Sequence, residues 1–195
     1  LRIINMKVFN TRNEMVKYYS SQIEKPVMCE IGVFKGEFFK YLLDNCDPAS
    51  IEGVDVFSGI AGSGDVDGNN PIQVDMGQVY TELENTYANN PIVSFHKEFS
   101  NKYLQKQEND KYDIIYIDAD HSYSAVKRDI ELAFDKIKDK GFIMGHDYEL
   151  NKLKCNHNWG FGTKQAVDEF CKNYSQTICS FGNDGCVSFC IQVNK

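Results

Sequence analysis

Glu30-Ile31-Gly32-Val33-Phe34-Lys35-Gly36 is the stretch on which the fold turns. The apolar run Val27-Met28-Cys29 leads into it, and the helix-like run from Gly36 to Asn45 leaves it. Strand, glycine turn and helix are the opening unit of a ligand-binding α/β sheet. The glycines let the backbone turn tightly and approach a bound molecule. A dinucleotide site would carry GxGxxG and aim its amides at a pyrophosphate. Here an acidic residue comes first and the glycines stand four apart. A carboxylate at Glu30 repels a diphosphate and suits a ligand that carries positive charge. Glu30, Gly32, Phe34 and Gly36 are therefore the first candidate binding residues.

Outward from this turn, short apolar runs alternate with helical patterns. Residues 27–32, 51–56, 92–95, 112–118 and 141–145 read as strands. Their apolar residues are continuous, as in parallel strands buried on both faces. Residues 36–45, 78–88, 101–107 and 122–138 read as helices. In the last, Val126, Ile130, Ala133 and Ile137 form a helical stripe. After a helix over 164–173 come two strands, 177–181 and 186–192, joined at Gly182-Asn183-Asp184-Gly185 by a hairpin turn. The expectation is a doubly wound, mostly parallel seven-stranded α/β sheet (Rossmann-like) with a C-terminal antiparallel β-hairpin at one edge. A single domain over 1–195 is expected, with residues 1–25 as an N-terminal helical segment. The stretch 58–77, rich in Gly, Asp and Asn, reads as a mobile loop: a lid over the ligand or a solvated insertion.

Composition narrows the partners. The chain has 195 residues, of which 42% are hydrophobic, enough for a full-sized core. A formal net charge of −7 disfavours a nucleic-acid backbone or an anionic membrane surface. No apolar run approaches the ~18 residues of a membrane span. The seven cysteines are odd in number and lack CxxC spacing. They read as reduced thiols, which points to the cytoplasm.

The remaining strand ends carry the chemistry. Asp55 closes the second strand, where a carboxylate can accept both hydroxyls of a ribose, and Val56 follows it. His96-Lys97-Glu98-Phe99-Ser100 follows the third strand, where a base-facing loop falls. Phe99 packs on a ring there or belongs to the core; Ser100 contacts ligand or caps the next helix. The fourth strand runs into Asp118-Ala119-Asp120-His121. Two carboxylates and an imidazole are costly to bury for packing alone. The fifth ends at His146-Asp147. Asp118 and Asp147 can share a cation, with His146 as a third ligand. Asp120 or His121 can act as general base.

The combination E-I-G-V-F-K-G, G-V-D-V-F, Y-I-D-A-D-H-S-Y, G-H-D-Y and G-T-K-Q-A-V-D-E-F resembles class I S-adenosylmethionine-dependent methyltransferases. It is most similar to the small O-methyltransferases of the macrocin/cephalosporin-biosynthesis type. The likeness spans roughly residues 27 to 193. It implies S-adenosylmethionine held by Glu30, Gly32, Phe34, Gly36, Asp55, Val56, Phe99, Ser100 and Asp118. It implies methyl transfer to a hydroxyl of a sugar or other small metabolite, with Asp120 as base. It also implies magnesium on Asp118 and on two acidic residues after the fifth strand. Here Asp147 is one of these; His146 stands where an acidic residue is usual, which favours manganese or no metal. The acceptor is expected over Tyr148 and the segment from Cys155 to Gly162, where Trp159 stacks on a sugar or anchors the loop. Other readings are a protein or nitrogen acceptor, a nucleotide-binding enzyme, and a non-catalytic cofactor-binding subunit. Self-association stays open.

Overall fold

The computed structural model describes residues 6–63, 72–148 and 162–195. Its elements are β1 (Lys7–Phe9), α1 (Arg12–Ser20), β2 (Val27–Ile31), α2 (Glu37–Asn45), β3 (Ser50–Asp55), β4 (Ile60–Ser63), β5 (Ile72–Asp75) and α3 (Met76–Tyr87). After these come β6 (Val93–Lys97), α4 (Ser100–Lys106), β7 (Tyr112–Ile117), α5 (Tyr123–Lys136), β8 (Ile137–Gly145), α6 (Thr163–Asn173), β9 (Ile178–Asn183) and β10 (Val187–Gln192).

The main sheet has the order β1-β9-β10-β8-β7-β2-β3-β6. The seven expected strands are all present and the expected α/β fold holds. Alternate residues of the central strands feed two separate cores. Met28, Ile114 and Tyr116 pack with Phe38, Phe39 and Leu42 of α2. Cys29, Ile115 and Ile117 pack with Val126 and Ile130 of α5 and Val167 of α6. This two-sided burial is why the strands read as unbroken apolar runs.

The ends of the chain correct three expectations. First, residues 1–25 are not all helical. β1 precedes α1 and pairs in parallel with β9, making an eighth strand. Second, the hairpin is not the sheet's edge: β10 inserts between β8 and β9, and β1 lies outside them. Third, its turn sits further along than expected. Asn183 pairs with Val187, so the turn is Asp184-Gly185-Cys186. Gly185, at φ 111°, supplies the left-handed residue. Gly182 belongs to β9, close against the Thr11 carbonyl. In the stretch 58–77, β4 and β5 pair antiparallel as a small ribbon, and Asp75 caps α3. The expected lid falls partly on residues 64–71, outside the described residues.

Strand direction places the site. β10 is antiparallel to both β8 and β9, so β8, β9 and β1 all run the same way. Their carboxyl ends open on the edge where β2, β3, β6 and β7 also end. Arg12, just past β1, and Asp184, just past β9, arrive at that edge with Gly32, Asp55 and Asp118.

Candidate active site

The glycine turn is built by close approach. Gly32 has φ 94°, and a Cβ there would stand 2.0 Å from the Asp118 carbonyl oxygen. Its amide donates to the Val54 carbonyl at 2.8 Å, and the Asp118 amide donates to Ile31 at 2.7 Å. No side chain fits between β2 and β7 at this point. Phe34, at φ 51°, carries the turn over toward Gly36, which starts α2.

Asp55 clamps the turn from the next strand. Its Oδ2 accepts from the amides of Val33 and Phe34, each at 3.0 Å. Its Oδ1 accepts from the Phe57 amide at 3.0 Å. A carboxylate offers about four lone-pair sites, so roughly one remains for a ligand hydroxyl.

Glu30 is only 1% exposed, and its Oε2 has no hydrogen-bond partner among the described residues. Burial, then the neighbouring charges of Asp118 and Asp55, hold its carboxyl well above the ordinary range; Arg12 opposes this. An unpaired buried carboxyl aimed at a cavity is a place prepared for a donor or a cation.

That cavity has a volume of about 920 Å³, the size of a small-molecule site. Its wall brings together most of the residues singled out from sequence. They are Glu30, Gly32 and Phe34 of the turn, Asp55 and Val56 after β3, Phe99 and Ser100 after β6, and Asp118, Asp120 and His121 after β7. Gly36, His146 and Asp147 do not line it. Phe99 is 60% exposed at the rim, so it is not a core residue. Ser100 is the first residue of α4 and not its cap; that position is Phe99. The Ser100 hydroxyl instead donates to Asp129 at 2.8 Å.

At the β7 and β8 ends lies a charged cluster. His121 Nε2 stands 3.3 Å from Asp118 Oδ1 and 3.1 Å from Asp147 Oδ2. His146 Nδ1 is 3.2 Å from the same Asp147 oxygen and 3.8 Å from Asp118 Oδ1. Arg12 donates to Asp118 Oδ2 at 3.0 Å, and its Nε lies 3.7 Å from Asp184. The Arg12 guanidinium stacks over the Phe38 ring at 4.3 Å. Burial alone lowers both histidines, but the Asp118 and Asp147 carboxylates outweigh it and raise them. Asp147 is lowered in turn: the His146 hydrogen bond and the His146 and His121 charges overcome its burial. Asp120 is exposed and spends Oδ1 on the Ser122 amide at 2.9 Å, at the start of α5.

A family profile for a methyltransferase domain matches residues 29–148. The chain belongs to this methyltransferase family. Comparison with curated sequences gives no match. Solved structures with the same fold include the O-methyltransferase NovP, 17% identical, TM-score 0.65, with 94% of this chain and 80% of that chain covered. N-methyltransferase NodS from Bradyrhizobium japonicum WM9, in complex with S-adenosyl-l-homocysteine, is 13% identical with TM-score 0.63, covering 94% and 86%. A ribosomal protein L11 methylase from Lactobacillus delbrueckii subsp. bulgaricus is 12% identical with TM-score 0.60, covering 95% and 79%. Their acceptors differ, so the shared fold does not carry the acceptor across.

The methyltransferase is of the class I, S-adenosylmethionine-dependent kind. Sequence reasoning missed Arg12, Asp184 and Asp129 of its site. The expected acceptor residues Cys155 to Phe161, Trp159 among them, lie outside the described residues. No helix among the described residues is long and apolar enough to cross a membrane.

Proposed function

We propose that this methyltransferase methylates a hydroxyl of a sugar or other small hydroxylated metabolite. The observation that carries the reading is the continuous cavity wall from Phe99 through Asp55 and Glu30 to Asp118, Asp120 and His121. Glu30 and Asp118 would face the charged end of S-adenosylmethionine, Asp55 and the 32–34 backbone its ribose, and Phe99 and Ser100 its base. When bound, S-adenosylmethionine supplies a methyl group on a positively charged sulfur.

The chain's own part is to hold the acceptor oxygen in line and to take its proton. His121 Nε2 already faces two carboxylates, which favour its charged form. Among the described residues, Asp120 is given one hydrogen bond, from the Ser122 amide to one oxygen. The base role therefore falls on Asp120, with His121 as the group that keeps Asp118 and Asp147 together.

The same cluster fits a divalent ion. Asp118, His121 and Asp147 each offer a donor atom, all within 4.8 Å of one another. Spacings of 3.3 and 3.1 Å from His121 Nε2 match the edges of a shell with bonds of roughly 2.1 Å. Two carboxylates and one imidazole suit manganese better than magnesium. His121 joins the expected pair Asp118 and Asp147 in this set, and His146 Nδ1, at 3.2 and 3.8 Å from the same two carboxylates, stands beside it. Such an ion would lower the pKa of an acceptor hydroxyl.

The test is calorimetric titration with S-adenosylhomocysteine, followed by turnover on parallel panels of hydroxylated and amine acceptors. Asp120→Asn should keep product binding and lose at least about 10²-fold in turnover of a hydroxyl substrate. Turnover confined to amines, or an unchanged rate in Asp120→Asn, refutes the reading.

A further inference from the structure

Asp129 is a buried carboxyl that the methyl-transfer reading does not use. It sits on α5 and is 1% exposed. Its Oδ2 accepts from Ser100 Oγ at 2.8 Å, and its Oδ1 lies 3.5 Å from Arg128 Nε. Ser100 lines the cavity; Asp129 stands behind it. A serine hydroxyl has one proton and two lone pairs, and here it donates that proton to Asp129 Oδ2. The proton is therefore turned away from the cavity, and Ser100 offers the cavity a lone pair.

We propose that Asp129 is a positioning residue that fixes Ser100 as a hydrogen-bond acceptor and so selects a base with an exocyclic amine over one with a carbonyl at that position. The inference rests on the adenosyl group lying at this end of the cavity. The ligand it favours carries adenine, whose 6-amino group donates; the 6-oxo ring of hypoxanthine presents an oxygen that meets the Ser100 lone pair with like polarity. Phe99, exposed beside Ser100, offers the ring face on which such a base can lie. A tie between α4 and α5 that was only structural would not distinguish the two rings.

The experiment compares the affinities of S-adenosylhomocysteine and S-inosylhomocysteine for the wild-type chain, Asp129→Asn, Ser100→Ala and the double variant. Wild type should prefer the adenosyl compound by at least about tenfold. In Asp129→Asn the new amide can donate to Ser100, freeing its proton to point into the cavity, and the preference should fall about tenfold or invert. In the Ser100→Ala background, Asp129→Asn should leave the ratio unchanged, because the group it acts through is gone. Ser100→Ala removes the hydroxyl and with it the bond to Asp129 Oδ2; because the readout is a ratio of two affinities in one variant, its own loss of preference tests the idea should Asp129→Asn fold poorly. Tight S-adenosylhomocysteine binding with no preference in wild type, or an undiminished preference in Ser100→Ala, overturns this assignment alone. No S-adenosylhomocysteine binding by wild type overturns the cofactor reading beneath it.

Discussion

Asp55→Asn tests how the glycine turn is held. The wild-type carboxylate satisfies three backbone amides at 3.0 Å: Val33 and Phe34 on one oxygen, Phe57 on the other. An amide keeps one oxygen. Its better orientation serves Val33 and Phe34 and turns the NH2 group toward the Phe57 amide, donor against donor. One charge-assisted bond is then lost, worth about 1.5–3 kcal/mol, and two are weakened to neutral strength. Asp55 is half-buried, which moves the sum to the lower part of the range, about 2 kcal/mol. For a chain of this size that is a fall in melting temperature of about 4–8 °C.

The same change would remove the charged acceptor that the proposed site offers a ribose hydroxyl. S-adenosylhomocysteine affinity should fall by about tenfold or more. The measurement is thermal unfolding with and without S-adenosylhomocysteine, with calorimetry for the dissociation constant. A stability loss without an affinity loss would mean that Asp55 only clamps the turn. A variant that matches wild type in both would refute the reasoning, because one amide would then have lost its acceptor and two a charged one at no cost.

Three other perturbations bear on the same edge of the sheet. Glu30→Gln removes a carboxyl whose folded value burial raises. Stability from such a group is fully present below its unfolded value of about 4.3 and is lost as pH rises through the raised folded value. The variant should therefore gain on wild type from pH 4 to pH 8 in melting temperature while binding S-adenosylmethionine more weakly; a difference that does not move in the variant's favour over that range contradicts this. Gly32→Ala puts a Cβ 2.0 Å from the Asp118 carbonyl at φ 94°. Overpacking and strain together should cost about 2–6 kcal/mol, read as loss of soluble protein or a much lower melting point, and a normal melting curve would count against it. Manganese should raise the melting temperature of wild type and not of Asp147→Asn; an equal rise in both removes Asp147 from the metal set.

The sheet was legible because its strands are buried on both faces. Each reads as an unbroken apolar run, and the runs come in the order of the fold. The turn at Glu30–Gly36, Asp55 and the Asp118–His121 cluster were legible because they sit where strands end. β1 was not. Three residues, Lys7-Val8-Phe9, carry no period, and their pairing with Ser180, Phe181 and Gly182 is a contact across most of the chain. Without that strand, Arg12 looks like the first residue of an ordinary helix. Asp129 left a signal that went unread. It stands three residues after Val126 and four before Ala133, within the apolar stripe of α5. A lone carboxylate on a buried face needs a partner, and here that partner is Ser100.

The arrangement of charge explains why the N-terminal strand matters to the site. Glu30, Asp118, Asp147 and Asp184 crowd one sheet edge. Leaving them unanswered would cost several kcal/mol of repulsion in a half-buried setting. Asp147 is answered by His146 and His121, and Asp118 and Asp184 by Arg12. Arg12 reaches them only because β1 runs parallel to β9 and ends on the same edge. Glu30 is the member left over: Arg12 acts on it through space, but its Oε2 finds no partner among the described residues. A carboxyl in that position is costly to ionise until a cation arrives. On the proposed reading it would favour a ligand with positive charge near the turn over a neutral one, because among the described residues its neighbours have partners that Glu30 Oε2 lacks.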